Sequence, residues 1–277
     1  MGATRARGDE MSKNSKGRAL VTGASAGIGA AYAQRLAERG HDLLLVARDR
    51  ERLTALAACL QAEYGVDVDI LPADLTEPKE RARVEARLAG DAGIDMLVNN
   101  AGMAVKGSMV EAGLDQLEQM ITLNVLASAR LAGCAAKAFA AQGRGTIVNL
   151  TSILALAPEQ FNGVYSGTKA FLLNLSISLQ QELAPLGVRV QAVLPGATRT
   201  EIWDRSGTDV PEDILMEVGH MVDAALAGLD LGELITIPAL PDMRDFEAYT
   251  RARQNLAPFL SGRLPAERYG VQVESTP

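Results

Sequence analysis

A tyrosine and a lysine stand four residues apart at the start of a long apolar segment. The run VYSGTKAFLLNLSISL, residues 164–179, has the composition of a buried helix, yet Tyr165 and Lys169 lie in its first turn. Residues four apart lie one above the other on a helix face. The phenol and the ammonium could therefore converge on one group and perform acid–base chemistry, the cation favouring the phenolate. Taken alone, the pair favours a structural role, with a hydrogen-bonded tyrosine and a lysine that extends to water.

Length and composition describe an ordinary globular chain. The 277 residues can bury one large core, and 48% hydrophobic with 22% charged residues is a typical balance. The net charge of −7 argues against nucleic-acid binding, which requires a basic face. The two histidines and two cysteines are widely separated, so no metal site is predicted, and Cys59 and Cys134 are interpreted as core residues.

No secretory signal and no membrane span are predicted from the sequence. Residues 1–16 contain no apolar core of a secretory signal, and we interpret them as a disordered leader, with Met11 as an alternative start. No apolar run approaches the roughly 18–20 residues that a membrane span requires. The sequence therefore predicts a cytoplasmic protein without membrane contact.

Short apolar runs alternate with longer helical patterns from residue 18 onward. The predicted strands cover 18–23, 42–47, 66–71, 94–100, 145–152, 188–196 and 233–240. The predicted helices cover 27–39, a segment ending at 63, 77–90, 114–141, 164–186 and 242–257. This alternation predicts an α/β protein with a single-domain, doubly wound Rossmann fold over 17–277, a parallel sheet of about seven strands with helices on both faces. Ligands bind beyond the carboxyl ends of the strands in such sheets, so functional residues should directly follow strands.

A glycine-rich turn follows the first predicted strand and opens a helix. The run TGASAGIG, 22–29, provides backbone N–H groups at a helix N-terminus, a site for the pyrophosphate of a dinucleotide. The spacing is GxxxGxG, and a sharp strand–helix connection is the alternative. The candidate cofactor contacts in this turn are Gly23, Ser25, Ala26, Gly27, Ile28 and Gly29.

The end of the second strand bears on which dinucleotide is bound. An acidic residue about 20 positions beyond the glycines would bind the ribose 2′-hydroxyl of NAD, whereas an arginine suits the 2′-phosphate of NADP. Ala47 and Arg48 lie 18 and 19 residues beyond Gly29. NADP(H) is therefore favoured and NAD(H) stays an alternative, since Asp49 would oppose a phosphate if it pointed inward. Arg48 could also be a solvated residue that precedes the next helix, with Asp49 complementing the helix dipole.

Six motifs in this order give the chain a strong resemblance to the short-chain dehydrogenase/reductase family. They are TGASAGIG (22–29), NNAG (99–102), the asparagine of TLNVLA (122–127), the serine of NLTS (149–152), YSGTK (165–169) and PGATRT (195–200). The resemblance covers residues 18 to about 240 and implies NAD(P)(H)-dependent interconversion of alcohols and carbonyls.

The resemblance implies a role for each catalytic candidate. Tyr165 would exchange a proton with the substrate oxygen, and Lys169 would lower the pKa of this phenol from about 10 and bind the nicotinamide ribose. Ser152 would hydrogen-bond the substrate oxygen, and Asn124 would hold a water in a proton relay to Lys169.

The resemblance also implies cofactor contacts after later strands. Asp74 would meet the adenine edge with Leu75 beside it, and Asn100 with Ala101 would line the adenosine ribose. Contacts to the carboxamide and the pyrophosphate are expected from Pro195, Thr198 and Thr200. Because Ala26 occupies a place where many NADP-binding members carry a basic residue, Arg48 would bind the 2′-phosphate largely alone.

The substrate side of the site is less defined. The candidate walls, 153–163, 103–109 and the segment after 196 with Ile202 and Trp203, are mostly apolar and predict an apolar ketone, aldehyde or secondary alcohol. Residues 199–226 fit either a mobile lid or a fixed surface helix. The apolar helices 114–141 and 164–186 pair between subunits in the family, which implies a homodimer or homotetramer, although both could simply pack on the sheet.

Four functions are compatible with the sequence. The leading one is an NADP(H)-dependent carbonyl reductase or alcohol dehydrogenase. A 3-oxoacyl thioester reductase and an NAD-linked alcohol dehydrogenase are alternatives within the same family. A non-catalytic NADP(H)-sensing regulator is the alternative from another class, which the presence of Ser152, Tyr165, Lys169 and Asn124 disfavours.

Overall fold

The computed structural model describes residues 16–161, 163–201 and 210–271. By its internal contacts the chain divides into two compact units, Met1–Pro238 and Ala239–Pro277. Every residue predicted to bind cofactor or substrate belongs to the first unit. The predicted leader lies outside the described residues except for Lys16, and the single-domain interpretation stays a prediction.

A parallel sheet of seven strands forms the centre of the described part of the first unit. The strands are β1 (Arg18–Thr22), β2 (Asp42–Ala47), β3 (Val68–Pro72), β4 (Ile94–Asn99), β5 (Gly145–Leu150), β6 (Val188–Val193) and β7 (Ile235–Thr236). Their spatial order is β3-β2-β1-β4-β5-β6-β7. The order reverses between β1 and β4, where doubly wound sheets bind dinucleotides. The predicted Rossmann fold and its seven parallel strands are confirmed.

The connecting helices cover both faces of this sheet. They are α1 (Gly27–Glu38), α2 (Arg50–Tyr64), α3 (Pro78–Gly90), α4 (Leu114–Ile121), α5 (Ser128–Gln142), α6 (Gly163–Leu183) and α7 (Val218–Asp230). One buried cluster joins α1, α2 and α7 to the sheet, and a second joins α3, α5 and α6 to it. The second unit contains α8 (Met243–Gln254) followed by short 3₁₀ turns.

Two elements differ most from the sequence prediction. The helix expected over 114–141 is interrupted by one π-helical segment, Thr122–Ala127, between α4 and α5. This segment contains Asn124, and π-helical turns frequently occur at functional sites. The seventh strand, expected over 233–240, shortens to the two residues of β7, which pair with Ala192 and Val193.

A buried chain of side-chain amides and hydroxyls holds α5 and α6 against the central strands. The Asn99 Nδ2 donates to the Ser128 carbonyl at 2.9 Å and to the Asn149 Oδ1 at 3.1 Å. Asn149 in turn donates to the Ser176 Oγ at 2.9 Å, and that hydroxyl donates to the Leu172 carbonyl within α6. A buried polar group has lost its hydrogen bonds to water and requires a partner inside the protein. These bonds therefore hold α5 and α6 at a defined position along the strands.

Candidate active site

The glycine-rich turn connects β1 to α1 in a backbone conformation that favours glycine. Gly23 and Gly27 have φ angles of +66° and +54°, in the left-handed region. A Cβ on Gly29 would overlap the carbonyl oxygen of Gly23. The turn is therefore as tight as the sequence predicts.

Thr22, at the end of β1, fastens this turn to the loop after β4. Its hydroxyl oxygen accepts hydrogen bonds from the main-chain N–H groups of Asn100 and Ala101, both at 2.9 Å. The Asn100 side chain donates back to the Thr22 carbonyl at 2.8 Å. Asn100 therefore holds the turn itself, and its predicted contact with the adenosine ribose stays a prediction. A hydroxyl at the end of an apolar strand is the sequence signal that points to Thr22.

The N-terminus of α1 fits an anionic pyrophosphate. Its N-cap, Ala26, supplies no side-chain hydrogen bond, and the first turn contains no acidic residue. These N–H groups and the positive end of the helix dipole are therefore available to a negative ligand. Thr200 lies over the same turn, with its Cγ2 3.2 Å from where a Cβ of Gly27 would stand. The residues present accordingly fit a dinucleotide.

Arg48 extends from the end of β2, and its side chain is 72% exposed. Its Nη1 lies 3.7 Å from the Asp74 Oδ2 beyond β3. Asp49 caps α2 by accepting from the Arg52 main-chain N–H at 3.0 Å. The Asp49 carboxylate, which would oppose a 2′-phosphate if it pointed inward, thus binds the N-terminus of α2. This agrees with the interpretation that Asp49 complements the helix dipole.

Asp74 keeps its negative charge beside this arginine. Burial would raise the pKa of its carboxyl, but hydrogen bonds from Thr76 and the nearby charge of Arg48 outweigh burial and lower the pKa. The neighbouring Leu75 side chain is buried in the core. A cofactor contact from Leu75 would therefore come from its main chain, and both predicted adenine contacts stay predictions.

The three central catalytic candidates meet at the carboxyl end of β5. Ser152 follows this strand, and Tyr165 and Lys169 lie in the first turns of α6. The Tyr165 hydroxyl forms a hydrogen bond with Ser152. The Lys169 Nζ donates to the Leu150 carbonyl at 2.9 Å and lies 5.7 Å from the centre of the Tyr165 ring. The predicted convergence of these residues is present in the geometry.

The electrostatics of this group differ from the sequence expectation. Burial raises the pKa of Tyr165 to about 12, although the hydrogen bond with Ser152 acts in the opposite direction. Burial also lowers the pKa of Lys169 to about 8. The expected lowering of the Tyr165 pKa by Lys169 is not found in the cofactor-free protein. The physical reason is that desolvation of the phenol dominates, while the ammonium donates to a main-chain carbonyl.

Asn124 lies in the π-helical segment and faces the loop after β4. Its Oδ1 accepts from the Met103 N–H at 2.9 Å, and its Nδ2 donates to the Met103 carbonyl at 2.9 Å. A Cβ on Gly102 would stand 3.3 Å from the Asn124 Oδ1 and 3.5 Å from the Lys169 Nζ. Asn124 and Lys169 therefore converge on the same face of Gly102. The predicted water relay stays a prediction.

Two threonines that sequence reasoning missed position the catalytic turn. The Thr168 hydroxyl donates to the Tyr165 carbonyl at 2.7 Å and accepts from Asn124 at 3.1 Å. The Thr151 hydroxyl donates to the Lys169 carbonyl at 2.8 Å. Both are buried. Both lie within the motifs YSGTK and NLTS, but the bond between Thr168 and Asn124 and the bond from Thr151 to Lys169 depend on the tertiary fold.

The remaining predicted cofactor contacts follow β6. The Pro195 carbonyl accepts from the Ile153 N–H at 3.0 Å, which ties this segment to the loop after β5. The Thr198 hydroxyl is buried and donates to the Gly196 carbonyl at 3.1 Å. Both residues lie beyond a strand carboxyl end, as predicted.

Apolar side chains surround the catalytic tyrosine. Phe161 meets its ring edge to face, with the ring centres 5.5 Å apart. Met103 and Val164 pack beside Tyr165 on a small buried cluster that includes Val105. These contacts agree with the apolar walls expected over 103–109 and 153–163. Ile202 and Trp203, the other predicted wall residues, lie outside the described residues.

Two other kinds of feature are absent from the described residues. No helix in the described ranges combines the length and apolar character required to cross a membrane. The same part of the chain contains no group of three or more histidine, cysteine, aspartate or glutamate side chains placed to hold a metal ion.

This fold and site define a dinucleotide-binding oxidoreductase, and comparison with known proteins identifies its family. Residues 17–211 match the family model described as short chain dehydrogenase. A short-chain dehydrogenase from Sphingobium yanoikuyae, solved in complex with NADPH, is 52% identical, with a TM-score of 0.89 over 91% of this chain and 100% of that chain. The bulky-bulky ketone specific alcohol dehydrogenase from Comamonas testosteroni is 45% identical, with a TM-score of 0.85 over 91% of this chain and 98% of that chain.

A third relative has a different stated activity. Serine 3-dehydrogenase from Agrobacterium fabrum is 37% identical over 187 residues, 67% of this chain and 73% of that protein. The chain belongs to the short-chain dehydrogenase/reductase family and is an oxidoreductase of alcohol and carbonyl groups.

Replacing Lys169 by methionine should stabilise the protein near neutral pH. The folded pKa of about 8 lies below the ordinary value of 10.5, so burying the charged form costs about 3 kcal/mol below pH 8. The cost shrinks as the pH rises from about 8 towards 10.5, since the folded state alone has then lost the proton. After subtracting about 1 kcal/mol for the lost bond to Leu150, we expect K169M to gain about 2 kcal/mol at pH 7.

Urea unfolding of K169M and the wild type at several pH values measures this difference. Lys79→Met, at an exposed lysine of α3, is the matched control and should change the free energy of unfolding by less than about 0.5 kcal/mol at every pH. A K169M variant that is less stable than the wild type at pH 7 would contradict the account.

Proposed function

We propose that the chain is an NADP(H)-dependent carbonyl reductase that acts on bulky, mostly apolar ketones and catalyses the reverse alcohol oxidation. The observation that carries this proposal is the placement of Tyr165, Ser152 and Lys169 beside a turn that fits a dinucleotide. The ketone-specific relative, 45% identical over nearly its whole length, supports the substrate class. The apolar side chains around Tyr165 agree with it.

The bound cofactor would supply the hydride, and the chain's own residues would manage the substrate oxygen. Ser152, in hydrogen-bond contact with the Tyr165 hydroxyl, would orient the carbonyl and stabilise the charge that develops on its oxygen. Tyr165 would donate its proton to this oxygen. Lys169, held by the Leu150 carbonyl, would bind the nicotinamide ribose and keep a positive charge near the phenol.

Burial keeps the Tyr165 phenol protonated, which is the form that carbonyl reduction requires. A tyrosine with a pKa of about 12 retains its proton throughout the physiological range. It is therefore ready to protonate a developing alkoxide, which is a stronger base than phenolate. Phe161 and the apolar cluster at Met103 contribute to this dry environment.

The preference for NADP(H) rests on Arg48. Its guanidinium is exposed at the end of β2, where it would bind the 2′-phosphate, and its Nη1 lies 3.7 Å from the Asp74 Oδ2. The solved complex of the relative at 52% identity contains NADPH. A guanidinium can bind a phosphate through two parallel hydrogen bonds, which a ribose hydroxyl cannot offer.

Replacing Arg48 by alanine should abolish the preference for NADPH. We expect the wild type to bind NADPH at least about tenfold tighter than NADH, a difference of about 1.4 kcal/mol, and R48A to bind both alike. Fluorescence titration gives the four dissociation constants. Arg50→Ala removes the same charge from an exposed residue at the start of α2 and should keep the preference. Equal binding of both cofactors by the wild type would favour NAD-linked alcohol oxidation instead.

Replacing Tyr165 by phenylalanine should remove the proton donor while keeping the packing. We expect kcat for NADPH-dependent reduction of a bulky aryl ketone to fall by about 10²–10⁴-fold, with little change in the Kd of NADPH. Tyr64→Phe, at a tyrosine in the last turn of α2, is the matched control and should retain wild-type turnover. Turnover by Y165F above one tenth of the wild-type rate would show that another group donates the proton.

The same assays address the alternatives. A 3-oxoacyl thioester reductase would turn over acyl thioesters faster than simple ketones. A cofactor-sensing regulator would bind NADPH without turnover of any carbonyl compound. The cytoplasmic location stays a prediction.

A further inference from the structure

The carboxyl ends of β2 and β3 place an arginine and an aspartate side by side. Ala47 pairs with Pro72 in the parallel register, and the Ala73 N–H donates to the Ala47 carbonyl at 2.9 Å. Arg48 and Asp74 therefore follow two strand ends that are joined by hydrogen bonds. Between their side chains, the Arg48 Nη1 lies 3.7 Å from the Asp74 Oδ2.

The loop after β3 holds the Asp74 carboxylate in one position. Its Oδ1 accepts from the Thr76 N–H at 2.9 Å and from the Thr76 hydroxyl at 2.7 Å. The Asp74 N–H donates to the Glu80 Oε2 at 2.6 Å. The buried Arg81 side chain donates to the Leu75 carbonyl at 2.8 Å. The outer oxygen, Oδ2, is thereby kept near the neighbouring guanidinium.

This carboxylate and a 2′-phosphate would bind the same group. The lowered pKa of Asp74 keeps its charge at neutral pH, and a phosphate monoester carries about −1.5 to −2. Both anions interact favourably with the single positive charge of Arg48, and they repel one another. A phosphate that binds this guanidinium must therefore weaken its ion pair with Asp74.

We propose that Asp74 is a specificity-determining residue whose carboxylate competes with the 2′-phosphate of NADP(H) for Arg48. This inference rests on the proposed function, in which Arg48 binds that phosphate. The competition lowers the affinity for NADP(H) alone, because NAD(H) has no 2′-phosphate. It is distinct from the predicted contact of Asp74 with adenine, which both dinucleotides contain.

The opposite role, in which Asp74 orients Arg48 for the phosphate, fits the geometry less well. A charge-assisted hydrogen bond that fixes a guanidinium has a length of about 2.7–2.9 Å, whereas this pair is 3.7 Å apart. The carboxylate therefore attracts the arginine without setting its orientation. Ion pairs at a protein surface change an equilibrium constant by a factor of about 1.4 to 5, and repulsion between the two anions adds to this factor.

Asp74→Asn tests the proposal through the ratio of two dissociation constants, that of NADH over that of NADPH. Fluorescence titration of the whole chain should show that this ratio rises at least about threefold in D74N. The asparagine oxygen can still accept both bonds from Thr76, so the loop should keep its fold, which circular dichroism verifies. A lost adenine contact would weaken both cofactors alike and would leave the ratio unchanged.

Two further variants separate competition for Arg48 from a general effect of charge. Asp67→Asn removes the same charge directly before β3, at the opposite edge of the sheet, and should leave the ratio unchanged. In the R48A background, D74N should change the ratio by less than about twofold, since the guanidinium for which the anions compete is then missing.

Each other outcome overturns the proposal. A ratio that falls in D74N would show that Asp74 orients Arg48, and a smaller rise would show that the carboxylate does not compete. An equal rise in the R48A background would assign the effect to direct repulsion of the phosphate, and an equal rise in D67N would assign it to net charge. Equal ratios in the wild type and R48A would contradict the proposed function itself, whereas a difference between these two with no rise in D74N contradicts this inference alone.

Discussion

Desolvation of a phenol and an ammonium at the carboxyl end of β5 is the constraint on which the rest of the site depends. Burial opposes charge on both groups and therefore moves the pKa of Tyr165 up and that of Lys169 down. The phenol therefore keeps its proton, while Lys169, with a pKa of about 8, still carries its charge at neutral pH. The protein retains this costly pair because it places a proton donor and a cation beside the position of a dinucleotide.

Neutral hydrogen bonds hold the pair in place. Thr168 and Thr151 bind the main-chain carbonyls of Tyr165 and Lys169, so the catalytic turn of α6 is fixed through its backbone. The buried amides of Asn99 and Asn149 fix α5 and α6 to the strands beneath. A site built on such fully satisfied contacts can hold the reacting groups in one geometry with little reorganisation.

Much of this site follows from local sequence. The glycine spacing over 22–29 and the four-residue interval between Tyr165 and Lys169 are properties of a short segment, so the turn and the helix face could be predicted. The parallel, doubly wound sheet could be predicted because alternating strands and helices restrict the topology. Asp49 could be interpreted as complementing the dipole of α2 because it directly precedes that predicted helix.

Other features depend on residues far apart in the sequence. The direction of the Tyr165 pKa shift is set by burial against Phe161 and the cluster at Met103, which no local pattern shows. The π-helical segment around Asn124 is held by Met103, a loop residue 21 positions away. The Asn100 amide donates to the Thr22 carbonyl because tertiary packing brings the ends of β1 and β4 together.

The most direct measurement is the ultraviolet absorbance of phenolate as a function of pH, taken as the difference between the wild type and Tyr165→Phe. The subtraction removes the other four tyrosines of the chain. The account predicts that the cofactor-free protein shows no phenolate from Tyr165 until strongly alkaline pH, near its pKa of about 12. A titration of Tyr165 near or below pH 8 would contradict it, because Lys169 rather than burial would then control the phenol.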